Sequence, residues 1–393
     1  MLSWAGLAAG ANVGAGILTA QALSVSDRGV LAIVLSVSGL ASVVGGLGTN
    51  VAIRHLLPRP DPQVSFGDYL GLSALLAAGV AAIATAAILL GGRIIDRQML
   101  HLPIVVAGTV YAVGFFLSIQ CFDGLNAFGR TGAAAGVNAA GSVLVLLLVI
   151  GASIARAGLA LILCAYSLAV LFQTGFALRL LQRGGAGLRP RLRAEPSARL
   201  VRLGAPAVAL NLGQVLAYRL DRYLIGAIAG PAVAGVYSVA TTPAELLRIP
   251  ATAYGQVTLH GVASGEFRVA DVWHAIRRTY LLVIAPAAAL AIAAPWLIET
   301  VFGERYTGAT TPFRILVLAE LFLLPFQIAA RALSGLGRTR EAAVAGFLGL
   351  AVTVTALLLL VPQLGAAGGA LASVGAYAVM SGVSVALLRR HWK

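Results

Sequence analysis

The sequence predicts an all-α polytopic membrane protein, because most of the chain is apolar and few residues are charged. Of the 393 residues, 59% are hydrophobic and 11% are charged, whereas about a quarter of the residues in a soluble domain are charged. This composition excludes a soluble domain, a disordered chain, a disulfide scaffold and a nucleic-acid module. Cys121 and Cys164 lie inside apolar runs, so we expect packing residues there, with no metal site or disulfide.

Twelve apolar runs have the length of a membrane span, which needs about 20 residues. Backbone polar groups must be bonded internally in lipid, so each run is predicted to be a helix. The runs cover 4–24, 30–53, 69–90, 103–124, 133–154, 159–181, 204–229, 235–258, 279–300, 312–335, 341–361 and 366–388. The first has no basic segment before it and is closely followed by a second, so a cleaved signal peptide is not expected.

The basic residues predict the orientation, since loops facing the cytoplasm are enriched in Arg and Lys. With the N-terminus in the cytoplasm, the inside loops and tail hold 18 basic residues and the outside loops hold six. An even number of helices then places both termini inside. The formal charge of +14 is therefore mainly a topology signal, and no nucleic-acid partner is expected. Because every basic residue except Lys393 is Arg, with much Ala and Gly, we predict a bacterial cytoplasmic membrane.

A basic segment rich in Gly, Pro and Arg lies halfway along the chain, at residues 183–202. Juxtamembrane Arg gains about 1 kcal/mol each from anionic headgroups. We therefore predict a cytoplasmic linker that lies against the inner leaflet. It joins an N-terminal six-helix bundle, residues 1–182, to a C-terminal six-helix bundle with a short tail, residues 203–393.

The two halves share short sequence matches at a nearly constant spacing. Gln120 at the end of helix 4 matches Gln327 in helix 10 at an offset of 207, and the following Gly-Arg-Thr matches at an offset of 208. Gly29-Val30-Leu31 matches Gly235-Val236-Tyr237 at an offset of 206. A duplicated unit of six helices keeps its orientation, so we predict two pseudo-symmetric bundles around a central cavity that work by alternating access.

Three helices of the second half carry polar side chains along one face. A charge at the centre of a membrane helix costs about 2.5–3.5 kcal/mol, so these faces are predicted to line a shared wet surface. They comprise Asn211, Gln214, Tyr218, Asp221 and Arg222, with Arg219 beside them; Ser238, Thr241, Thr242, Glu245, Arg248, Thr252 and Gln256; and Glu320, Gln327, Arg331, Ser334 and Arg338. Pro243, Pro250 and Pro325 interrupt the same helices and are candidate kinks.

The arginines on these faces are candidate ligands for an anion, because guanidinium stays charged and matches phosphate oxygens. We predict a substrate site formed by Arg219, Arg222, Arg248, Arg331, Asn211, Gln214, Tyr218 and Gln327. Asp221, Glu245 and Glu320 are candidates for ion coupling, and Glu245 is spaced to pair with Arg248 along one helix. Structural ion pairs that hold the bundles in register remain the alternative.

Catalytic patterns are absent from the sequence. The five His residues are scattered, and none is spaced with Cys, Asp or Glu as a metal site requires. No Walker sequence or nucleophile elbow is present. We therefore expect no metal, no cofactor and no enzymatic activity.

Several segments resemble one transporter family. The stretch Asn211–Gly226 (NLGQVLAYRLDRYLIG), then Gly230–Ser238 (GPAVAGVYS), resembles the seventh and eighth helices of Wzx-like polysaccharide flippases. Thr19–Gly29 (TAQALSVSDRG) resembles their first helix and turn. These flippases belong to the multidrug/oligosaccharidyl-lipid/polysaccharide exporter superfamily, and the resemblance extends over essentially the full chain.

The resemblance implies translocation of an undecaprenyl-diphosphate-linked oligosaccharide to the outer leaflet for cell-surface polysaccharide synthesis. It implies a lipid-linked substrate, contact with membrane lipids, and partnership with a polysaccharide polymerase and glycosyltransferases. Two features depart from the superfamily. The basic segment usual before helix 1 is missing, which leaves the completeness of the start open, and twelve helices are fewer than the fourteen of lipid II flippases.

Two other functions remain open at this stage. A cation-coupled multidrug antiporter of the same superfamily would need surplus acid in the cavity, whereas four arginines here face three acids. A membrane-embedded glycosyltransferase or ligase would need a carboxylate-bearing loop outside the membrane. The longest outer loop, 299–314, offers Glu299 and Glu304 alone.

Overall fold

The computed structural model describes residues 2–58 and 64–391, except for the side chains of residues 2, 3, 5 and 209–211. Arg59 and Lys393, two of the 18 basic residues assigned to the inside above, and the Asn211 side chain of the predicted substrate site lie outside the described residues. Over the described residues the chain is helical without any strand, as predicted. The helices form two compact units, Met1–Ala209 and Leu210–Lys393.

Among its described residues, the first unit contains seven α-helices and the start of an eighth. Their ranges are α1 Leu2–Ala22, α2 Val25–Gly45, α3 Thr49–Leu56, α4 Phe66–Ile94, α5 Leu102–Ala127, α6 Thr131–Ile154, α7 Leu159–Arg183 and α8 Ala194–Ala229. The predicted linker 183–202 is therefore non-helical only between α7 and α8. The remainder extends α8 toward its N-terminus, where Glu195 and Arg199 pair one turn apart.

The second unit contains the rest of α8 and five further helices. Their ranges are α9 Pro231–Ala244, α10 Ile249–Ala263, α11 Val269–Leu297, α12 Thr310–Gly335 and α13 Thr339–His391. A 3-10 turn, Glu245–Arg248, separates α9 from α10. A π-helical turn, Ile298–Phe302, follows α11.

The 53-residue helix α13 is two helices joined at Gly365, which has φ 55° and ψ −129°. A Cβ built on Gly349 would lie 2.3 Å from Met380 Cγ, and one on Gly368 would lie 2.4 Å from the Leu360 carbonyl oxygen. Residues at similar distances before and after Gly365 along the chain are thus neighbours, so the two halves run antiparallel. Glycine tolerates such a positive φ at low cost. The predicted runs 341–361 and 366–388 correspond to these two halves.

Both predicted second helices of the repeat are broken in the structure. The run 30–53 divides into α2 and α3 at Gly46–Gly48, where Leu47 and Gly48 have φ of 47° and 67°. The run 235–258 divides at the Glu245–Arg248 turn, with Pro243 and Pro250 on either side. A continuous second helix was therefore wrong in both halves. Left-handed residues cause the break in one, and prolines flank it in the other.

Eight described helices are long and apolar enough to cross a membrane, or nine if a bent pair within α8 counts as one span. That count takes α13 as a single span and omits α1 and the broken pair α9–α10. The predicted total of twelve is consistent with this arrangement. The protein is a multi-pass membrane protein.

Small residues allow the helices of the first unit to approach closely. A Cβ on Gly108 of α5 would lie 2.8 Å from Ile88 Cδ1 and 2.9 Å from Val34 Cγ1. Three helices therefore meet closely at this position, and a larger residue would displace the Ile88 and Val34 side chains. Without a hydrophobic driving force in lipid, such close packing provides much of the association energy between membrane helices.

The segment between α7 and α8 is held against the start of α4. Ser65 and Asp68 form a capping box at the N-terminus of α4. The fully buried Asp68 carboxylate also accepts two hydrogen bonds from Arg193, through Nε at 2.6 Å and through Nη2. In addition, the Arg191 amide donates to the Gly67 carbonyl oxygen at 2.8 Å. This segment is thus a fixed part of the first unit.

Gly71→Ala in α4 is expected to destabilise the protein. Its Cβ would lie 2.3 Å from the Arg191 carbonyl oxygen, and forcing atoms into a packed site costs about 1–3 kcal/mol. Gly79→Ala is the matched control in the same helix, because its Cβ would meet nothing within 4 Å and Ala favours helix by about 1 kcal/mol. Thermal unfolding in detergent compares the two; equal melting temperatures would contradict the tight contact.

Candidate functional site

The predicted polar side chains of the second unit lie on α8, on α9–α10 with the turn between them, and on α12, except for Arg338, which lies in the turn after α12. The 3-10 turn places Glu245 and Arg248 at the break between α9 and α10. The two side chains do not pair with each other as predicted. Glu245 pairs with α8, whereas Arg248 pairs with α12. Since proline removes a helical hydrogen bond, the interrupted helix loses the regular phase on which the predicted pairing depended.

Two side chains bind Arg222 of α8, one from α9 and one from the 3-10 turn that follows α9. Its Nη2 donates to Glu245 Oε1 at 2.7 Å and to Thr241 Oγ1 at 3.1 Å. The Arg222 side chain is 11% exposed and that of Glu245 is 39% exposed. The ion pair is therefore open to its surroundings on the carboxylate side.

The neighbouring Asp221 is buried and accepts two hydrogen bonds. Its Oδ2 accepts from the Tyr237 hydroxyl and its Oδ1 from the Arg222 amide, both at 2.8 Å. The Tyr237 oxygen in turn lies 3.2 Å from Ser373 Oγ. These bonds connect α8, α9 and α13, and they use lone pairs of the carboxylate that a cation would otherwise need.

Arg248 and Glu320 form the most buried ion pair of the second unit. Arg248 Nε donates to Glu320 Oε2 at 3.0 Å, and Nη2 donates to Oε1. Their side chains are 20% and 3% exposed. The guanidinium carbon also lies 5.5 Å from the centre of the Tyr218 ring, within the range of a cation–π contact. The bidentate geometry is the one that an arginine offers to carboxylate or phosphate.

The Tyr218 hydroxyl joins α8 to α12. It accepts hydrogen bonds from Gln214 Nε2 and Gln327 Nε2, each at 3.3 Å. The Tyr218 ring packs edge-on against Tyr377, with centroids 5.5 Å apart. The eight predicted residues brought together in this way are called the polar network: Gln214, Tyr218, Asp221, Arg222, Glu245, Arg248, Glu320 and Gln327.

Arg331 lies one turn after Gln327 and is half-buried. It lines a cavity of about 20 Å³ together with Gln214, Ser334 and Thr339, which is space for about one water molecule. Among the described residues no carboxylate pairs with Arg331. Arg219 is exposed and likewise has no ion pair within the described part of the chain. These two arginines retain donors for another anion.

The first unit places an ion pair where the second unit has Arg331. In the first unit, Gln120 of α5 contacts Thr49 of α3, because Gln120 Nε2 donates to Thr49 Oγ1 at 3.0 Å. In the second unit, Gln327 of α12 lies close to Gly255 of α10, because a Cβ built on Gly255 would lie 2.6 Å from the Gln327 carbonyl oxygen. Gly255 is 206 residues after Thr49, which fits the repeat offset. Asp123 lies three residues after Gln120, and Arg331 lies four after Gln327, where the repeat has gained one residue.

Asp123 is bound by Arg54 and by Asn50, whose Nδ2 donates at 2.8 Å. The Asp123 side chain is 2% exposed. At this position of the repeat, the first unit therefore has an acid paired with an arginine. The second unit has Arg331 there, without a carboxylate partner among the described residues. Sequence reasoning missed the Arg54–Asp123 pair; the repeat alignment, followed beyond the matched residues, would have pointed to it.

Sequence reasoning also missed the tyrosines that support the polar network. Tyr237 appears in the repeat match, yet nothing in the sequence indicated that it bonds Asp221. Tyr377 lies on α13, where Ser373, Tyr377, Ser381 and Ser384 share one face at helical spacing; this hydroxyl-bearing face was the signal that could have indicated it. Among the described residues no group of His, Cys, Asp and Glu has the geometry to hold a metal ion.

Comparison with known proteins identifies the family. A family model described as "Polysaccharide biosynthesis protein" matches residues 2–259. The chain belongs to this family. No curated protein sequence gives a significant match.

Solved structures similar to this member of the polysaccharide biosynthesis protein family are membrane transporters. An inward-facing multidrug resistance MATE family transporter of the MOP superfamily has a TM-score of 0.81 and 18% identity, covering 97% of this chain and 93% of that one. The lipid II flippase MurJ, in an inward closed conformation, has a TM-score of 0.82 and 11% identity, covering 99% and 88%. The eukaryotic MATE transporter AtDTX14 has 0.64 and 14%, covering 99% and 95%. The fold is therefore that of this superfamily, as the sequence resemblance implied.

Glu320→Ala is expected to cost about 3–5 kcal/mol of stability, because it leaves the buried Arg248 guanidinium without a counter-charge. Removing both charges with Arg248→Met and Glu320→Leu should restore most of that loss. Glu195→Ala is the control, since its ion pair with Arg199 is exposed and such pairs contribute about 0.3–0.5 kcal/mol. Unfolding by detergent titration measures all three; a double variant as unstable as the single one would contradict the pairing.

Proposed function

We propose that the protein is a flippase that moves an undecaprenyl-diphosphate-linked oligosaccharide across the cytoplasmic membrane by alternating access between its two halves. Membership of the polysaccharide biosynthesis family and the fold shared with a lipid II flippase support an exporter of this kind. The fold is equally similar to a multidrug transporter. The choice between the two substrate classes therefore depends on the chemistry of the site.

The charge balance of the second unit favours an anionic substrate, and this observation is the basis of the proposal. The carboxylates of Asp221, Glu245 and Glu320 are all engaged by hydrogen bonds or ion pairs. Arg331 and Arg219 have no carboxylate partner among the described residues. A cationic drug would need an available acid, whereas a diphosphate would find available guanidinium groups.

The order of the arginines suggests how the diphosphate is passed along the second unit. Arg331 lies near the C-terminal end of α12, which the orientation prediction places on the cytoplasmic side. Arg248 lies over the ring of Tyr218, and the Tyr218 hydroxyl accepts from Gln327, one helical turn before Arg331. Phosphate oxygens first bind Arg331 and then compete with Glu320 for the bidentate face of Arg248.

The neutral members of the network are suited to the sugars. Gln214, Tyr218 and Gln327 provide amide and hydroxyl groups, as does Asn211 in the sequence. A carboxylate released from Arg248 or Arg222 becomes a site for a proton or a sodium ion. Glu320 and Glu245 are then the coupling residues of the proposed mechanism, and Asp221, which accepts from the Tyr237 hydroxyl and the Arg222 amide, is a third candidate.

Arg331→Ala is expected to lower the rate of sugar-lipid translocation about tenfold or more, since hydrogen bonds to charged groups contribute about 1.5–3 kcal/mol. Arg331→Lys should retain part of the rate, because the charge remains without the planar fork. Arg314→Ala is the control, an exposed arginine of the same helix that donates to the Ala291 carbonyl oxygen at 2.9 Å. Accessibility of a labelled undecaprenyl-diphosphate oligosaccharide to an added glycosidase in proteoliposomes measures the rate. An unchanged rate in Arg331→Ala would overturn the assignment.

The same proteoliposomes distinguish the proposed substrate from a cationic drug. With a proton or sodium gradient imposed, we expect no transport of ethidium above that of protein-free vesicles. Ethidium export that Glu320→Gln abolishes would replace the flippase by a cation-coupled drug antiporter.

A further inference from the structure

An apolar groove runs along the outside of the first unit, between α1, α6 and α7. It has a volume of about 710 Å³, and every residue that lines it is apolar. Trp4 and Leu7 form one wall, Phe172 and Phe176 form the other, and α6 forms the floor from Gly132 to Leu147. Several of these large side chains are well exposed, among them Leu147 at 57% and Phe172 at 46%.

The floor of the groove is not explained by helix packing. Gly132, Gly136 and Ala140 are spaced by four residues and share one face of α6. A Cβ on Gly132 or Gly136 would meet nothing within 4 Å, whereas one on Gly141 would lie about 2 Å from the Gln173 side chain. The glycines of the floor thus leave open space, and Gly141 serves close packing of α6 on α7.

The groove is longer than one leaflet of the bilayer. From Gly132 to Leu147 the floor extends for about 22 Å at 1.5 Å per residue, whereas half of the hydrocarbon core is about 15 Å. A chain that fills the groove therefore passes the bilayer midplane. An ordinary acyl chain that stays in its own leaflet does not reach so far, whereas a polyprenyl chain does.

One end of the groove is basic. Arg130 Nη1 donates to the carbonyl oxygen of Leu180, which lines the groove, at 3.1 Å. Arg179 and Arg183 are exposed on α7, three and seven residues after Phe176, so they share its face. Among the described residues none of these three arginines forms an ion pair. They complement a phosphate at the end of an apolar chain.

We propose that the α1–α6–α7 groove holds the polyprenyl tail of the carrier lipid, with Arg130, Arg179 and Arg183 at its phosphate end. This inference rests on the proposed function for the identity of the lipid. It adds a second site, on the first unit, to the polar network of the second unit.

Photo-crosslinking tests the occupant. p-Benzoylphenylalanine replaces Phe176 in the groove or, as a control, Leu281, which is 69% exposed on α11. The protein is placed in vesicles of phosphatidylethanolamine and phosphatidylglycerol that contain radiolabelled undecaprenyl phosphate. We expect at least tenfold more labelled product at position 176, suppressed by unlabelled undecaprenyl phosphate. Equal labelling at both positions, or equal suppression by extra phosphatidylglycerol, would show an ordinary lipid in the groove and overturn the proposal.

Filling the groove tests its use. Gly136→Phe places a ring in the open floor, and Gly79→Phe on α4 is the matched control because a Cβ there also meets nothing within 4 Å. We expect Gly136→Phe to lower the crosslinking at position 176 and the translocation of the undecaprenyl-linked sugar at least tenfold. Translocation equal to that of Gly79→Phe would overturn the proposed use of the groove.

The outcomes separate this inference from the proposed function. If the unaltered protein translocates the sugar-lipid and Gly136→Phe does so equally well, the groove proposal alone fails. If the unaltered protein moves no sugar-lipid, yet the variant with p-benzoylphenylalanine at position 176 crosslinks undecaprenyl phosphate specifically, the proposed function alone fails. A melting temperature of Gly136→Phe matching Gly79→Phe ensures that the loss is not one of folding.

Discussion

The high cost of an unpaired charge in an apolar environment shapes the second unit. Each buried carboxylate on its helices meets a guanidinium or hydroxyl group of a different helix, because loss of one partner leaves a buried charge that costs several kcal/mol. Arg222 thereby holds α9 to α8, and Arg248 holds the turn after α9 to α12. The same bonds that stabilise the unit determine which charges remain available to a ligand.

Much of this arrangement could be predicted from the sequence. Apolar length gave the helices, and the polar faces of three helices indicated which side chains would meet, including Gln214, Tyr218 and Gln327. The partners within the network could not be predicted. Glu245 and Arg248 are ideally spaced to pair on a regular helix, yet the 3-10 turn directs them to different neighbours. Which carboxylate meets which guanidinium depends on helix packing, about which the local sequence contains no information. The break at Gly46–Gly48 was missed because the length of an apolar run does not show where the backbone leaves the helical conformation.

The two units differ in the charge that they carry at corresponding positions of the repeat. At corresponding places along the repeat, one unit encloses an acid between Arg54 and Asn50, and the other exposes Arg331 to a small polar cavity. A duplicated fold can keep one copy electrically balanced for stability while the other copy acquires surplus charge for binding. The groove of the first unit agrees with this difference between the copies, since it is apolar over its length and basic only at one end.

The reversal of α13 at Gly365 affects how the chain is made. The two halves are joined by a few residues around Gly365, of which Gln363 is polar, so the membrane-insertion machinery receives no long polar stretch between them. We expect the two halves of α13 to enter the bilayer together, as a helical hairpin whose turn is at Gly365. A reporter enzyme fused at this corner would lie at one surface of the membrane, because each half of α13 is long enough to cross the hydrocarbon core.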